Sequence, residues 1–210
     1  MAAPRIRRDP KRIGSIKPSQ LVYTYGVGAM VELPHFSVMV GGLDGWDGRH
    51  QAAVAEPRLM DALRPVIGGQ LSSLKQPPWE VETNSYWDDW AWVGVPAYPF
   101  PRWFRCTRCN LLEQIDKRVF LVDVNPVRTD RSRYYHEGCG GAGRKPDTQP
   151  VRVVAACPAG HLDDFPWTEL VHKDKPCTGV PILELKDTAT ASRATHQVAS
   201  CRTCGEEFFV

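Results

Sequence analysis

The sequence has no apolar run approaching the ~20 residues that a membrane-spanning helix needs. Its basic start, with Arg5, Arg7, Arg8, Lys11 and Arg12, is not followed by the apolar stretch of a secretory signal. The expected compartment is therefore the cytoplasm, with no membrane association. Charge of one sign is also lacking: the formal net charge is +2 over 210 residues, so no global electrostatic argument for nucleic acid exists. No internal repeat, heptad pattern or low-complexity tract is present. There is no GxxxxGK[ST], which excludes a nucleotide-driven motor in this chain alone, and Gly26-Val-Gly28 lacks the third glycine of a cofactor loop. The HxE…PCxxC signature of zinc deaminases is absent, since His136 is followed directly by Glu137.

What is present reads as globular. Hydrophobic residues make up 42% and charged residues 24%, enough for one or two domains with modest cores. Residues 1–17 form a basic, proline-bearing arm. Residues 18–100 read as a mixed α+β region, and residues 101–210 as a β-rich region held by metal. The fold class expected is an irregular α+β protein whose β-rich part is zinc-ribbon-like and carries two structural zinc sites. Within it, residues 19–33 suit either a bent strand or a short helix, with a turn at Gly26 and Gly28. Phe36, Val38 and Val40 alternate as in a strand, and residues 56–64 suit a helix with Pro57 in its first turn. Trp79, Trp87, Trp90 and Trp92 are expected anchors of an irregular, well-packed segment. Farther on, VFLVDV, VRVVAAC and PILEL read as strands.

Seven cysteines are an odd number, which fits poorly with complete pairing, and a cytosolic compartment disfavours disulfides. Cys106-Thr-Arg-Cys109 and Cys201-Arg-Thr-Cys204 are both CxxC pairs, a spacing that aims two sulfurs at one cation from a tight turn. His136-Glu-Gly-Cys139 supplies the matching second half for the first pair. The second pair needs partners from Cys157, His161, His172 and Cys177. Cys157 and Cys177 are favoured because they account for every cysteine, with His161 as the alternative to Cys177. The ligand sets expected are thus Cys106, Cys109, His136 and Cys139, and Cys157, Cys177, Cys201 and Cys204. A thioredoxin-like CxxC would open a helix after a core strand, whereas Cys106 lies between Pro101-Arg-Trp and a Leu-Leu pair. A catalytic zinc keeps an open coordination position, whereas both sites here can be filled by four protein ligands.

Two other constellations carry chemistry. Asp163 and Asp164, with His161, form a set from which a metal-dependent nuclease or hydrolase could be built. Adjacent residues on a strand face opposite ways, however, and a turn or cap with Phe165 and Trp167 packed inward is the simpler reading. Arg102, Arg105 and Arg108 interleave with Trp103 and Phe104 beside the first CxxC, so a stand-alone zinc-ribbon module touching phosphates is a further alternative.

Arg12-Ile-Gly-Ser-Ile-Lys-Pro-Ser-Gln20, Tyr23-Thr-Tyr-Gly-Val-Gly-Ala29 and VMVGGLDGW at 38–46 resemble the start of the DrmB family. The agreement continues in order through Pro99-Phe-Pro-Arg-Trp103, the CxxC at 106–109, Arg133-Tyr-Tyr-His136, CPAGHLDDFPW at 157–167 and the closing CxxC. DrmB is the helicase-associated component of the bacterial DISARM anti-phage system. The resemblance implies a non-catalytic subunit that partners DrmA, a helicase-like ATPase, in a complex engaging DNA. Family members are much longer, and the resemblance lies in their N-terminal portion.

Overall fold

Three α-helices and thirteen short strands make up the regular structure of the computed structural model, which describes residues 12–141, 143–173, 175–189 and 195–210. The chain is α+β and β-rich. Most of the basic arm, Arg5, Arg7, Arg8 and Lys11 included, lies outside the described residues. The described residues fall into two compact units, one within Met1–Val31, Met39–Tyr98 and Val124–Thr129, the other within Glu32–Val38, Pro99–Asp123 and Asp130–Val210. Among the described residues no helix is long and apolar enough to cross a membrane.

Of the two readings open for residues 19–33, the helix is found. Pro18 opens α1 (Pro18–Tyr23), where its missing N–H costs nothing, and the Gln20 side chain accepts from the Lys17 amide at 3.0 Å. Gly28, at φ +81°, makes the expected turn before β1 (Met30–Glu32). In β2 (Ser37–Val40) the expected alternation holds, with Phe36, Val38 and Val40 all buried. Pro57 starts α2 (Pro57–Ile67), which runs three residues beyond the expected end. Pro65 falls in its last turn, where its missing N–H removes a single helical hydrogen bond. The tryptophan-rich segment departs from expectation. Trp90 is buried, its Nε1 donating to Thr83 Oγ1 and the Ser85 carbonyl, whereas Trp79 and Trp87 are 57% and 54% exposed. β3 (Ala97–Pro99) follows.

The remaining strands are β4 (Trp103–Cys106), β5 (Leu111–Gln114), β6 (Phe120–Asp123), β7 (Arg133–His136), β8 (Thr148–Pro150), β9 (Val154–Ala156) and β10 (Leu162–Asp164). After α3 (Trp167–His172) come β11 (Leu183–Ala189), β12 (Thr195–Cys201) and β13 (Glu207–Phe209). The runs VFLVDV, VRVVAAC and PILEL each contribute to a strand, VRVVAAC only over Val154–Ala156 and PILEL only from Leu183, whereas α3 has no counterpart in the sequence reading. Six strands form one antiparallel sheet in the order β13-β12-β11-β5-β4-β8. β6–β7 and β9–β10 are separate two-stranded ribbons.

Most of the sheet is built from chain-local pairings, β4 with β5 and β11 with β12 and β13. Two joints are non-local: β4 with β8, registered Phe104 to Pro150, and β5 with β11, registered Leu112 to Leu183 and Leu111 to Glu184. Both Leu112 and Leu183 point into the core, which also holds Trp103, Trp167, Val171, Leu185, Ala199 and Cys201. α3 lies against β12 and β13.

Leu112 is fully buried at this joint, so Leu112→Ala is expected to cost about 2–5 kcal/mol through lost burial and the cavity left behind. The midpoint shift in urea unfolding measures it, and a loss under about 1 kcal/mol would contradict the assigned core.

Candidate metal centres

β4 delivers Cys106 to the end of a hairpin, and the chain reverses through Thr107, Arg108 and Cys109 into β5. Asn110 closes the turn, its amide donating to the Cys106 carbonyl at 3.0 Å with φ at +59°. That left-handed conformation is one that asparagine tolerates better than other side-chain-bearing residues. β7 brings His136 to the same place, and the glycine-bearing turn after it brings Cys139. Arg108 steadies that turn through the Gly140 carbonyl at 3.1 Å. The Sγ atoms of Cys106 and Cys139 lie 3.9 Å apart, and Cys109 Sγ lies 3.4 Å from His136 Nδ1.

The second group repeats this turn. β12 delivers Cys201, and the Gly205 amide donates to the Cys201 carbonyl at 2.8 Å with φ at +79°, the counterpart of Asn110. The two hairpins are thus alike in geometry although no internal repeat is legible in the sequence. Cys177, from the loop after α3, places its Sγ 3.9 Å from that of Cys201. The fourth member is His172, not the expected Cys157. α3 buries Trp167, Val171 and His172 on one face, which carries the imidazole to the knuckle. His172 Nδ1 lies 2.7 Å from the Thr168 carbonyl, an acceptor only, so Nδ1 carries the proton. Nε2 is then the lone-pair nitrogen, and it is buried without a hydrogen-bond partner. A buried polar atom in that state calls for an occupant, and a carbonyl holding the other ring nitrogen is how metal-binding histidines are oriented.

Cys157 stands at the C-terminal end of a strand, as Cys106 and Cys201 do, but the β9–β10 hairpin carries it to an exposed tip outside both groups. There its Sγ lies 3.2 Å from Nδ1 of His161, the reserve ligand, which is likewise outside both groups.

In each group the four donor atoms lie within 4.8 Å of one another. A tetrahedral zinc with sulfur at about 2.3 Å and nitrogen at about 2.0–2.1 Å spaces its ligands about 3.8 Å (sulfur to sulfur) and about 3.6 Å (sulfur to nitrogen) apart. The observed 3.9, 3.9 and 3.4 Å match those edges and are far from a disulfide. The residues present therefore fit zinc. Burial raises the Cys201 thiol, but hydrogen bonds from the backbone, the Cys204 amide foremost, outweigh it and bring the group down to about 6. Burial and then the neighbouring thiols Cys109 and Cys106 push Cys139 up to about 11. Sulfurs this close resist joint ionisation, and a divalent cation among them removes that resistance. Burial, helped by the Arg202 charge, lowers His136 and keeps the imidazole in the neutral form a metal needs.

The other singled-out residues have structural partners. Arg102 bonds the Asp164 carboxylate through its amide at 2.7 Å and its Nε at 2.6 Å, so the buried Asp164 serves an ion pair. Asp163 is exposed and accepts from the Asp164 amide at 2.7 Å. Arg105 pairs with Asp187 at 2.7 Å, and Arg108 is held by Gly140. The residue with no place in the sequence reading is Arg202, between the candidate ligands Cys201 and Cys204. Its Nε donates to Glu184 at 2.8 Å and its Nη2 to the Cys109 carbonyl at 2.5 Å.

The model of a family described as Domain of unknown function (DUF8724) matches residues 17–209. Over 111 residues the chain is 32% identical to the DISARM protein DrmB of Bacillus paralicheniformis (strain ATCC 9945a / NCIMB 11709 / CD-2). That stretch is 51% of this chain and 18% of the relative, so the chain matches less than a fifth of that protein's length. The resemblance read from the ordered motifs is thereby found.

The first knuckle turn gives a direct check on its backbone. Asn110→Gly is expected to leave stability within about 0.5 kcal/mol, while Asn110→Val costs about 1–3 kcal/mol because a β-branched residue is strained at positive φ. Thermal unfolding of the two variants side by side measures this, and equal stability would contradict the assigned turn.

Proposed function

We propose a function from the premise that this chain belongs to the DUF8724 family: a zinc-pinned, non-catalytic scaffold in an antiviral defence assembly of the DISARM kind. The carrying observation is that each candidate centre closes with four ligands from this chain, three cysteines and one histidine. Sulfur-rich donor sets favour zinc over harder cations, and four protein ligands leave no open position for a substrate or an activated water. Cys106, Cys109, His136 and Cys139 hold one ion, and His172, Cys177, Cys201 and Cys204 hold the other. The chemistry the ions supply is cross-linking of the β-rich region over residues 101–210.

The similarity to DrmB supports the assembly part of the reading. On it, the chain docks a helicase-like ATPase of the DrmA kind in the cytoplasm and meets DNA within that complex. Arg102, Arg105 and Arg108 each have an intramolecular partner, which favours DNA contact through the complex over a stand-alone basic patch. The buried pairing of Asp164 with Arg102 likewise disfavours the nuclease alternative, whose carboxylates would need to be free for metal.

Elemental analysis of the purified chain is expected to give two zinc ions, with Cys157→Ser unchanged and His172→Ala reduced to about one. Loss of an ion in Cys157→Ser with retention in His172→Ala would replace the second ligand set. Less than one zinc in the unmodified chain would remove the scaffold reading. For the assembly, co-elution with the ATPase on gel filtration supports docking, and separate elution in the presence of DNA contradicts it.

A further inference from the structure

The two centres are connected by a side chain, which raises the question of whether they fill independently. Arg202 sits directly after the ligand Cys201, and its amide donates to the Ile182 carbonyl at 2.8 Å, fixing where its side chain departs. Its guanidinium then divides between two acceptors. Nε meets Glu184 Oε2 at 2.8 Å, and Nη2 meets the carbonyl of Cys109, a ligand of the other centre, at 2.5 Å. Glu184 is only 12% exposed at its side chain and also accepts from Ser200 Oγ at 3.2 Å, so it is a fixed anchor for the fork. The Asn110 carbonyl, one residue past Cys109, accepts from the Leu185 amide at 2.9 Å. The last two residues of the first knuckle turn are therefore gripped from β11 and from inside the second knuckle.

We infer that the two zinc centres load cooperatively, and that Arg202 is the positioning residue that couples them. The inference rests on the zinc reading proposed above. An ion at the second centre fixes Cys201 and Cys204, and with them the backbone on which Arg202 stands. The guanidinium is thereby held on Glu184 and on the Cys109 carbonyl, which sets the Cys109 sulfur for the first ion. Linkage makes the effect reciprocal: an ion at the first centre must favour the second by the same factor. Arginine is suited to this because its planar fork serves two acceptors at once, which a lysine ammonium on its flexible stem does not reproduce.

Native mass spectrometry of the metal-free full chain, titrated with zinc to one equivalent, tests the inference. Two equal and independent sites would leave about half of the chains singly loaded, and positive coupling lowers that share. The unmodified chain is expected to show mostly empty and doubly loaded species. Arg202→Met is expected to raise the singly loaded share to half or more and to weaken zinc binding about tenfold, the low end of what loss of an outer-shell contact costs. Arg202→Lys should move in the same direction despite keeping the charge. A singly loaded share of half or more in the unmodified chain overturns the inference even if no variant folds. So does an unchanged share in Arg202→Met. Two ions bound without coupling leaves the zinc reading standing, whereas no bound zinc in any form removes both.

Discussion

Four donor atoms within 4.8 Å of one another, twice over, are the constraint on which the rest of the β-rich unit depends. Three thiols and an imidazole do not gather in a protein interior for their own sake, because ionised sulfurs repel and neutral ones make weak hydrogen bonds. The elements that bring them together are short. β4 and β7, which deliver Cys106 and His136, run to four residues each, and α3, which delivers His172, to six, lengths at which neither strand nor helix holds well alone. Divalent cations at the hairpin tips would supply the missing cross-links, in the way small domains with limited cores are stapled.

Sheet and centres are interdependent. Cys201 belongs both to the apolar core and to the second donor set, and Cys177 and Cys204 pack against that core. The helix that buries Trp167 and Val171 also presents His172, so packing and ligation are satisfied by one placement of α3. Across the sheet, the β5–β11 joint brings the first hairpin alongside the second, and Arg202 reaches over at that point. Glu184 shows how local charge serves this arrangement. Although burial works against its ionisation, the bonds from Lys186 and Arg202 lower its pKa and keep it a carboxylate.

The parts of the site legible in the sequence are those with local spacing. Cys106 and Cys109, Cys201 and Cys204, and His136 and Cys139 each sit three positions apart within a single turn, so the convergence within each pair is written in the chain. The fourth ligand of the second centre is not, because it depends on which face of α3 meets the sheet. Reading residues 167–172 as a helix would have put Trp167, Val171 and His172 on one side and made His172 the stronger candidate. Cys157 misled because it stands at the end of a strand in the same manner as the two knuckle cysteines. Its hairpin pairs only within itself, Ala156 against Leu162, and carries the thiol outward. In the same way tryptophan count suggested four anchors, while Trp90 is enclosed with its Nε1 hydrogen-bonded and Trp79 and Trp87 stay more than half exposed. Hydrophobicity marks candidates for burial without deciding which of them the backbone can enclose.

The coordination shell itself is the most direct test of this account. X-ray absorption at the zinc edge of the purified chain reports the average ligand set. Two centres as assigned predict three sulfurs at about 2.3 Å and one nitrogen at about 2.0–2.1 Å per zinc, with no light-atom shell beyond the imidazole. An average of about 3.5 sulfurs and half a nitrogen per zinc would restore Cys157 to the second centre in place of His172. A shell rich in oxygen would contradict closed structural sites and reopen the chain to metal-assisted catalysis.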